Sequence, residues 1–274
     1  MKDLLKFYSK PKLRHPTLVV SWQADAGQLG SGVTDNLTQQ LEGEVFCEIE
    51  PADFFPLNGV NIENNMVIFP ESNFYAFPEQ NMILFHSSIP RYEWYKFFNL
   101  ILDVAQEHYK TKEIFTVGGM ISPGIHTNPR EFWATFNSTK IKRSLAAYHL
   151  SRETDFETPP GGRPTLNSFL LWAAKQRNLN GANLWVPVPF YLVGHSDPRS
   201  QKTILEFLDN RLLLGLEYED IVSDLRKQDE LIDALCKQNP DINRTITKLD
   251  TNQRINEDER DNLIREVDTL LKDS

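Results

Sequence analysis

The period of the polarity pattern changes several times along the chain, and each change marks an element. Thr17-Leu18-Val19-Val20-Ser21-Trp22 is a short apolar run rich in β-branched and aromatic residues, the signature of a buried strand. Gln23 to Gly32 follows with glycine-rich turn chemistry. Val33 to Leu41 has helical spacing, and Glu44 to Ile49 reads as a strand again. This opening predicts a βαβ unit with a polar, glycine-broken loop at the C-terminal end of its first strand. In open α/β sheets, ligands and partners are met there.

Beyond a polar, proline-broken connection over 51–64, two apolar runs, Met66 to Pro70 and Asn73 to Phe77, flank Glu71-Ser72 and predict a hairpin. Met82 to His86 reads as a buried strand. Tyr92 to Tyr109 reads as a helix with Phe97, Phe98, Ile101, Leu102 and Ala105 on one face. Glu113 to Val117 is a strand expected to end at Gly118-Gly119. Phe132 to Phe136 is another strand, and Ser138 to Tyr148 a short basic helix. Arg152 to Gly162 is a loop with a firm breaker cluster, Thr158 to Gly162. Thr165 is placed to cap a helix running through Arg177, because its hydroxyl can accept from free first-turn N–H groups. Asn183 to Tyr191 is the last strand, and its prolines at alternate positions point to an edge, a bulge or a strand end. Ser200 to Leu214 is an amphipathic helix. Strands alternating with helices imply an α/β fold, a three-layer α/β/α sandwich around a mixed, mostly parallel sheet.

The pattern shifts near Gly215. From there the chain is polar and helical, with one aliphatic stripe over Ile221, Leu225, Ile232 and Leu235 and another over Leu263, Ile264, Val267, Leu270 and Leu271. Asn239-Pro240-Asp241 separates them. Residues 1–214 are therefore expected to form the core domain and 215–274 a C-terminal helical extension. Such narrow stripes pack onto their own domain or onto a sister subunit.

Composition narrows the functional classes. The 29 basic and 38 acidic residues give a net charge of −9, which disfavours general affinity for nucleic acid or anionic membranes. The two cysteines, Cys47 and Cys236, make neither a disulfide framework nor a metal-ligand spacing. With no signal-peptide pattern and no run of spanning length, a cytoplasmic protein is expected.

Several positions invite chemistry. Gly27, Gly30 and Gly32 follow a strand and open a helix, with Glu48 about twenty residues on. This is the context of a dinucleotide loop, but the glycine spacing is reversed and no P-loop lysine is present. Tight turning and close helix packing explain such glycines equally. Asp25, just past Trp22, can act as base or metal ligand, or cap the next helix; the cap is the preferred reading. His126 and Arg130 share a loop beyond Gly118 and Gly119, where the pair can make an anion site. No histidine pair has zinc spacing, and no serine lies in a GxSxG elbow. Trp172 and Trp185 are expected to fill core. The ligand- or partner-binding candidates are thus Trp22, Asp25, Gly27, Gly30, Gly118, Gly119, His126 and Arg130, with no catalytic set, no metal and no cofactor expected.

Four stretches together resemble the proteasome assembly chaperone 2 family, in its bacterial branch. They are TLVVSWQADAGQLGSGVTDNL with EPADFF downstream, FTVGGM, HTNPREFWATFNS, and the pair PPGGRPTLNSFLLWAAKQRN and GANLWVPVPFYLVG. The resemblance implies a sandwich similar to purine nucleoside phosphorylases, a homo-oligomer, and relatives that assist proteasome assembly without being enzymes. Some relatives dock proteasome rings through a tail of hydrophobic residue, tyrosine and any residue. This chain ends Lys272-Asp273-Ser274, so that route is not expected. Asn128 stands where many members carry arginine. The leading expectation is a non-enzymatic assembly protein, a dimer or trimer of itself that also engages another protein assembly. The alternative is a nucleoside- or phosphate-ester-binding protein or enzyme using the strand-end loops. An ATP-grasp ligase ranks last, because no phosphate-loop lysine and no metal-carboxylate pair support it.

Overall fold

The computed structural model describes residues 4–56, 60–63, 65–148, 150 and 165–272. The expected loop Arg152 to Gly162 and His149 lie outside the described residues. One eight-stranded sheet organises the rest. Its strands are β1 (Leu5–Phe7), β2 (Thr17–Trp22), β3 (Glu44–Ile49), β6 (Ser72–Phe77), β7 (Met82–Ser87), β8 (Glu113–Ser122), β9 (Trp133–Phe136) and β10 (Asn180–Pro189). The strands β4 (Asn61–Glu63) and β5 (Met66–Ile68) form a separate ribbon. The sheet order is β1-β3-β6-β7-β2-β8-β10-β9. Strands β7, β2, β8 and β10 are mutually parallel, with Trp22 opposite Ser87, Val20 opposite Thr116 and Asn180 opposite Glu113. The other neighbours are antiparallel.

Helices cover both faces, so β2 is buried throughout. Leu18 and Val20 join the layer of α2 (Trp94–Asp103) and α4 (Leu166–Gln176), while Val19 joins the layer of α1 (Leu29–Gln40) and α5 (Pro198–Leu212). That division follows from the two-residue period of a strand, and burial on both faces explains its continuous apolar run. The expected α/β/α sandwich with a mixed sheet is the architecture observed. The face of α2 read from the sequence is buried at Phe97, Phe98, Ile101 and Leu102, and Ala105 continues it into a π-helical turn over Val104–His108. Thr165 caps α4, its hydroxyl accepting from the Ser168 N–H at 3.2 Å.

Four details differ from the sequence reading. Met66 to Ile68 does not pair with Asn73 to Phe77. It pairs with Asn61–Glu63, and β6 instead turns through 78–81 into β7. Both runs are apolar, and polarity alone does not choose between two antiparallel partners. Strand β8 passes through Gly118 and Gly119 to Ser122, carried by ten consecutive pairings with β10. Trp172 is 48% exposed on α4 and Trp185 is half-buried. The edge strand β1 carried no periodic signal, being three residues long. Pro187 and Pro189 fall where β9 has already ended at Trp133, opposite Trp185. The Pro187 carbonyl faces away from β8 and accepts from the Ser200 hydroxyl at 3.2 Å, so the missing N–H donors lie along an unpaired edge.

Helix α3 (Thr139–Ser144) precedes α4, and α6 (Glu219–Gln238), α7 (Pro240–Asp250) and α8 (Glu257–Lys272) follow α5. Pro240 opens α7 at its first turn, and the Asn239 side chain accepts from the N–H groups of Asp241 and Ile242. Ile232, Ile242, Leu263 and Val267 are fully buried where these helices meet the sheet's carboxyl-end loops. Truncating Ile232→Ala is expected to cost about 2–5 kcal/mol by leaving a cavity, and Asn239→Ala about 1 kcal/mol by removing the cap. Urea unfolding midpoints measure both, and an unshifted midpoint for Ile232→Ala means the helices do not unfold with the core.

Candidate functional site

The loops leaving β2, β8 and β10 meet at the carboxyl end of the sheet, and glycine is what lets them meet. Gly27 adopts φ 72° and sits against the side chains of Asp197 and Val188. Its N–H donates to the Val193 carbonyl at 3.1 Å, and its own carbonyl accepts from the Asp197 N–H at 2.9 Å. A Cβ on Gly119 would run into the Ala26 carbonyl, and one on Gly30 into the Trp22 backbone. A Cβ on Gly118 would press on the Trp185 ring and the Asn167 amide. The structure thus brings together Asp25, Gly27, Gly119 and the 190s loop, while Gly30 and Trp22 form the adjoining helix–strand contact. The Gly27 and Gly30 amides that a phosphate would need already donate within the protein.

Asp25 reaches into the first turn of α1 from three residues before Gln28, which holds the cap position without a side-chain bond. The Asp25 Oδ1 accepts from the Gly30 N–H at 3.1 Å, and burial pushes its carboxyl up to about 6 against the pull of the Gly30, Gly119 and Leu29 amides. Its Oδ2 is buried and unpartnered. Trp22 is buried, and its indole N–H donates to Asn167 Oδ1 at 2.6 Å. The Asn167 amide in turn donates to the Val117 carbonyl at 3.0 Å. Asn167 was not among the sequence candidates; the available signal was a polar residue flanked by Leu166, Phe169 and Leu170 in a first helical turn.

His126 and Arg130 lie in one loop, as expected, but they do not form an anion site. The Arg130 side chain is buried against the fully buried Asp197, with Nε and Nη2 at 3.2 and 3.1 Å from Oδ2. Its remaining donors go to the Ile125, Asn128 and His126 carbonyls and the Ser200 hydroxyl. A guanidinium has five N–H groups, and all are committed, so none is offered to a ligand. Asp197 also caps α5, accepting from the Ser200 N–H and hydroxyl. The Tyr191 hydroxyl accepts from the His126 N–H at 2.7 Å and lies 3.0 Å from its Nδ1. Burial pushes the His126 imidazole down to about 4, and its Nε2 has no partner. Asp197 and Tyr191 were also missed, because each lies more than 60 residues from its partner in the chain.

The C-terminal helices cover this cluster. Ile125, Val188, Tyr191 and Leu192 pack with Ile232, Ile242, Ile246 and Leu263, and Ala26 and Phe190 border them. The Arg199 guanidinium ties α5 to α6, donating to the His126 carbonyl at 2.7 Å and to Asp229 at 2.6 Å. A shallow groove of about 350 Å³ opens beside the cluster, between Ile121, Trp133 and Pro187. Among the described residues, no three His, Cys, Asp or Glu side chains are grouped to hold a metal ion, and no helix is long and apolar enough to cross a membrane.

Two outcomes test this arrangement. Arg130→Met strands the Asp197 charge and is expected to cost roughly 3–5 kcal/mol; adding Asp197→Asn recovers part of that loss in denaturant midpoints. The histidine gives a pH signature. An unfolded histidine binds its proton below about 6.5, while folded His126 stays neutral down to about 4, so the unfolded chain takes up the proton first. Stability is therefore complete above pH 6.5 and falls by about 3 kcal/mol toward pH 4, at 1.36 kcal/mol per unit. His86, pushed by burial to about 4 as well, adds to the same loss. Asp25, held protonated up to about 6, opposes it. His126→Gln should flatten the acid limb of the stability profile, and an unchanged limb would refute this burial.

The fold recurs in solved structures. A Mycobacterium tuberculosis protein of unknown function matches with a TM-score of 0.79 at 17% identity, over 92% of this chain and 89% of that one. A proteasome-assembly chaperone homologue from the same organism matches with a TM-score of 0.68 at 16% identity, over 80% and 94%. An archaeal proteasome activator of Pyrococcus furiosus matches with a TM-score of 0.66 at 19% identity, over 84% and 97%. No curated protein sequence matches the chain. The PAC2 family model matches residues 19–238, most of the chain and every loop of the cluster just described, and the protein belongs to the PAC2 family.

Proposed function

We propose that this protein is a non-enzymatic, chaperone-like interaction protein that acts as a homo-oligomer on another protein assembly in the cytoplasm. The observation that carries the reading is the filled strand-end site. The place where an open α/β sheet takes a ligand is occupied by the chain's own loops and sealed by α6 to α8. In this reading residues 1–214 are the core and 215–274 the extension that seals it. The relatives described as a proteasome-assembly chaperone homologue and as a proteasome activator support a role among proteins rather than metabolites. Exposed aromatics add to that support. Tyr95 and Trp172 lie with ring centroids 6.3 Å apart on the outer surface of α2 and α4, where burial within the monomer does not explain them.

Light scattering at micromolar concentration is expected to give a mass at least twice that of the chain. Nucleosides, nucleotides and inorganic phosphate at millimolar concentration are expected to leave the melting temperature unchanged, since a ligand of the folded state raises it by mass action. A monomer whose melting temperature rises with one of these compounds would overturn the proposal in favour of small-molecule binding.

A further inference from the structure

Nine of the twelve large apolar side chains exposed among the described residues gather in two places. The other three, Tyr8, Ile121 and Leu213, stand singly, which is ordinary for a protein surface. The first place is the ribbon of β4 and β5. There Ile62 is 76% exposed, Met66 66% and Phe69 59%, with Val67 and Ile68 also exposed. Over 60–69 the one ionisable residue is Glu63. The two strands pair with each other, Asn61 opposite Ile68 and Glu63 opposite Met66, and take no part in the large sheet. A two-stranded ribbon is marginal in water unless something packs on it.

The second place is the outer surface of α2 and α4. Tyr95 is 58% exposed, and its ring lies beside Trp172, which rests on Phe169 with centroids 5.3 Å apart. Phe169 leads inward to Trp94 and Phe98, so the exposed rings top a packed aromatic stack. Tyr92 is exposed just before α2 begins. Both places lie toward the carboxyl end of the sheet. The ribbon follows β3 and returns at Ser72, opposite Ser87, the last residue of β7. Helix α2 follows β7 at that end, and Asn167 in the first turn of α4 accepts from Trp22 at the end of β2. The chain leading into the ribbon meets the start of α2, where the Tyr92 N–H donates to the Phe54 carbonyl at 3.2 Å. Ribbon and rings nevertheless both stay exposed, so neither covers the other within one copy.

We infer that the ribbon of one copy docks on the Tyr95 and Trp172 face of a second copy, whose own ribbon docks in return on the first. The inference rests on the homo-oligomer reading and deepens it by naming the surface. Area commits the ribbon to this occupant. At about 200 Å² for a large side chain, the exposed parts of ribbon and rings come to roughly 900 Å² per copy, and a standard interface takes about 800 Å² from each partner. Ribbon against ribbon, or ring face against ring face, falls short of that and leaves the other surface bare. A ring of copies would hold one ribbon contact in each interface. Reciprocal exchange puts both into a single interface, and because each copy gives and receives the same contact, it closes as a two-fold dimer. The side-chain types suit such a contact, since Tyr, Trp and Met are enriched at interface cores and a Met sulfur packs well on an aromatic ring.

Two exposed-surface variants test it: a ribbon variant, Ile62→Ser with Met66→Ser and Phe69→Ser, and a face variant, Tyr95→Ser with Trp172→Ser. Thermal melts check that each remains folded, and Tyr95→Glu alone replaces the face variant if the loss of Trp172 lowers its melting temperature. Wild type is expected to sediment as a dimer from roughly 50 to 500 mM salt, because screening leaves an apolar contact intact. Each variant alone is expected to dimerise at least tenfold more weakly, as the loss of central anchors does. Mixed, the two should form a one-to-one dimer tighter than either variant's own, because one supplies an intact face and the other an intact ribbon. A mixture that recovers nothing overturns the inference. If only the ribbon variant fails, ribbons pair with each other; if only the face variant fails, the faces do; either result overturns it as well. If wild type assembles and both variants assemble equally well, or if wild type forms a ring of three or more, this interface is wrong while the homo-oligomer reading survives. A wild type that stays monomeric overturns both readings.

Discussion

The buried pair of Arg130 and Asp197 is the constraint on which the strand-end architecture depends. Desolvating two charges is expensive, and their attraction compensates only when the remaining donors and acceptors are also satisfied. Here they are. Arg130 reaches the Ile125, His126 and Asn128 carbonyls, and Asp197 takes the Ser200 N–H and hydroxyl. One ion pair therefore fixes the loop after β8, the start of α5 and, through the Gly27 carbonyl, the loop after β2. Arg199 extends the same knot to α6.

The consequence for function is one of occupation. A loop cluster at the carboxyl ends of parallel strands is the usual meeting place for a small ligand. In this molecule the Gly27 and Gly30 amides and the Arg130 guanidinium that would recognise an anion are spent on acceptors of the protein itself, and aliphatic side chains from three helices lie over the loops that carry them. Large exposed apolar side chains, Tyr95 and Trp172 among them, lie outside this cluster. Asp25 Oδ2 and His126 Nε2 are the buried exceptions, each left without a partner inside the cluster.

Much of the fold was legible in the chain. The run Thr17 to Trp22, the face of α2, the Thr165 cap and the stripes of the terminal helices are local signals, and local signals survive into the structure because each element must bury its own apolar face. The misreadings share one cause. Met66 to Ile68 was assigned to the wrong partner because strand pairing is decided by what else the sheet offers. Trp172 was assigned to the core because an aromatic in an apolar helix looks the same whether or not a neighbour covers it.

The candidate residues divide along the same line. Residue type and position along the sequence were enough to place Trp22, Asp25, Gly27 and Gly30 at a strand end, since backbone geometry there asks for turns and close approach, but not Gly118 and Gly119, which lie inside β8. Their roles were settled only when segments distant in the chain came together. Asn167 receives the Trp22 indole from 145 positions away, and Asp197 neutralises Arg130 from 67. Whether a charged side chain is free for a ligand depends on its partners in space, and those partners are set by the packing of the whole sheet and its covering helices, which no window of sequence contains.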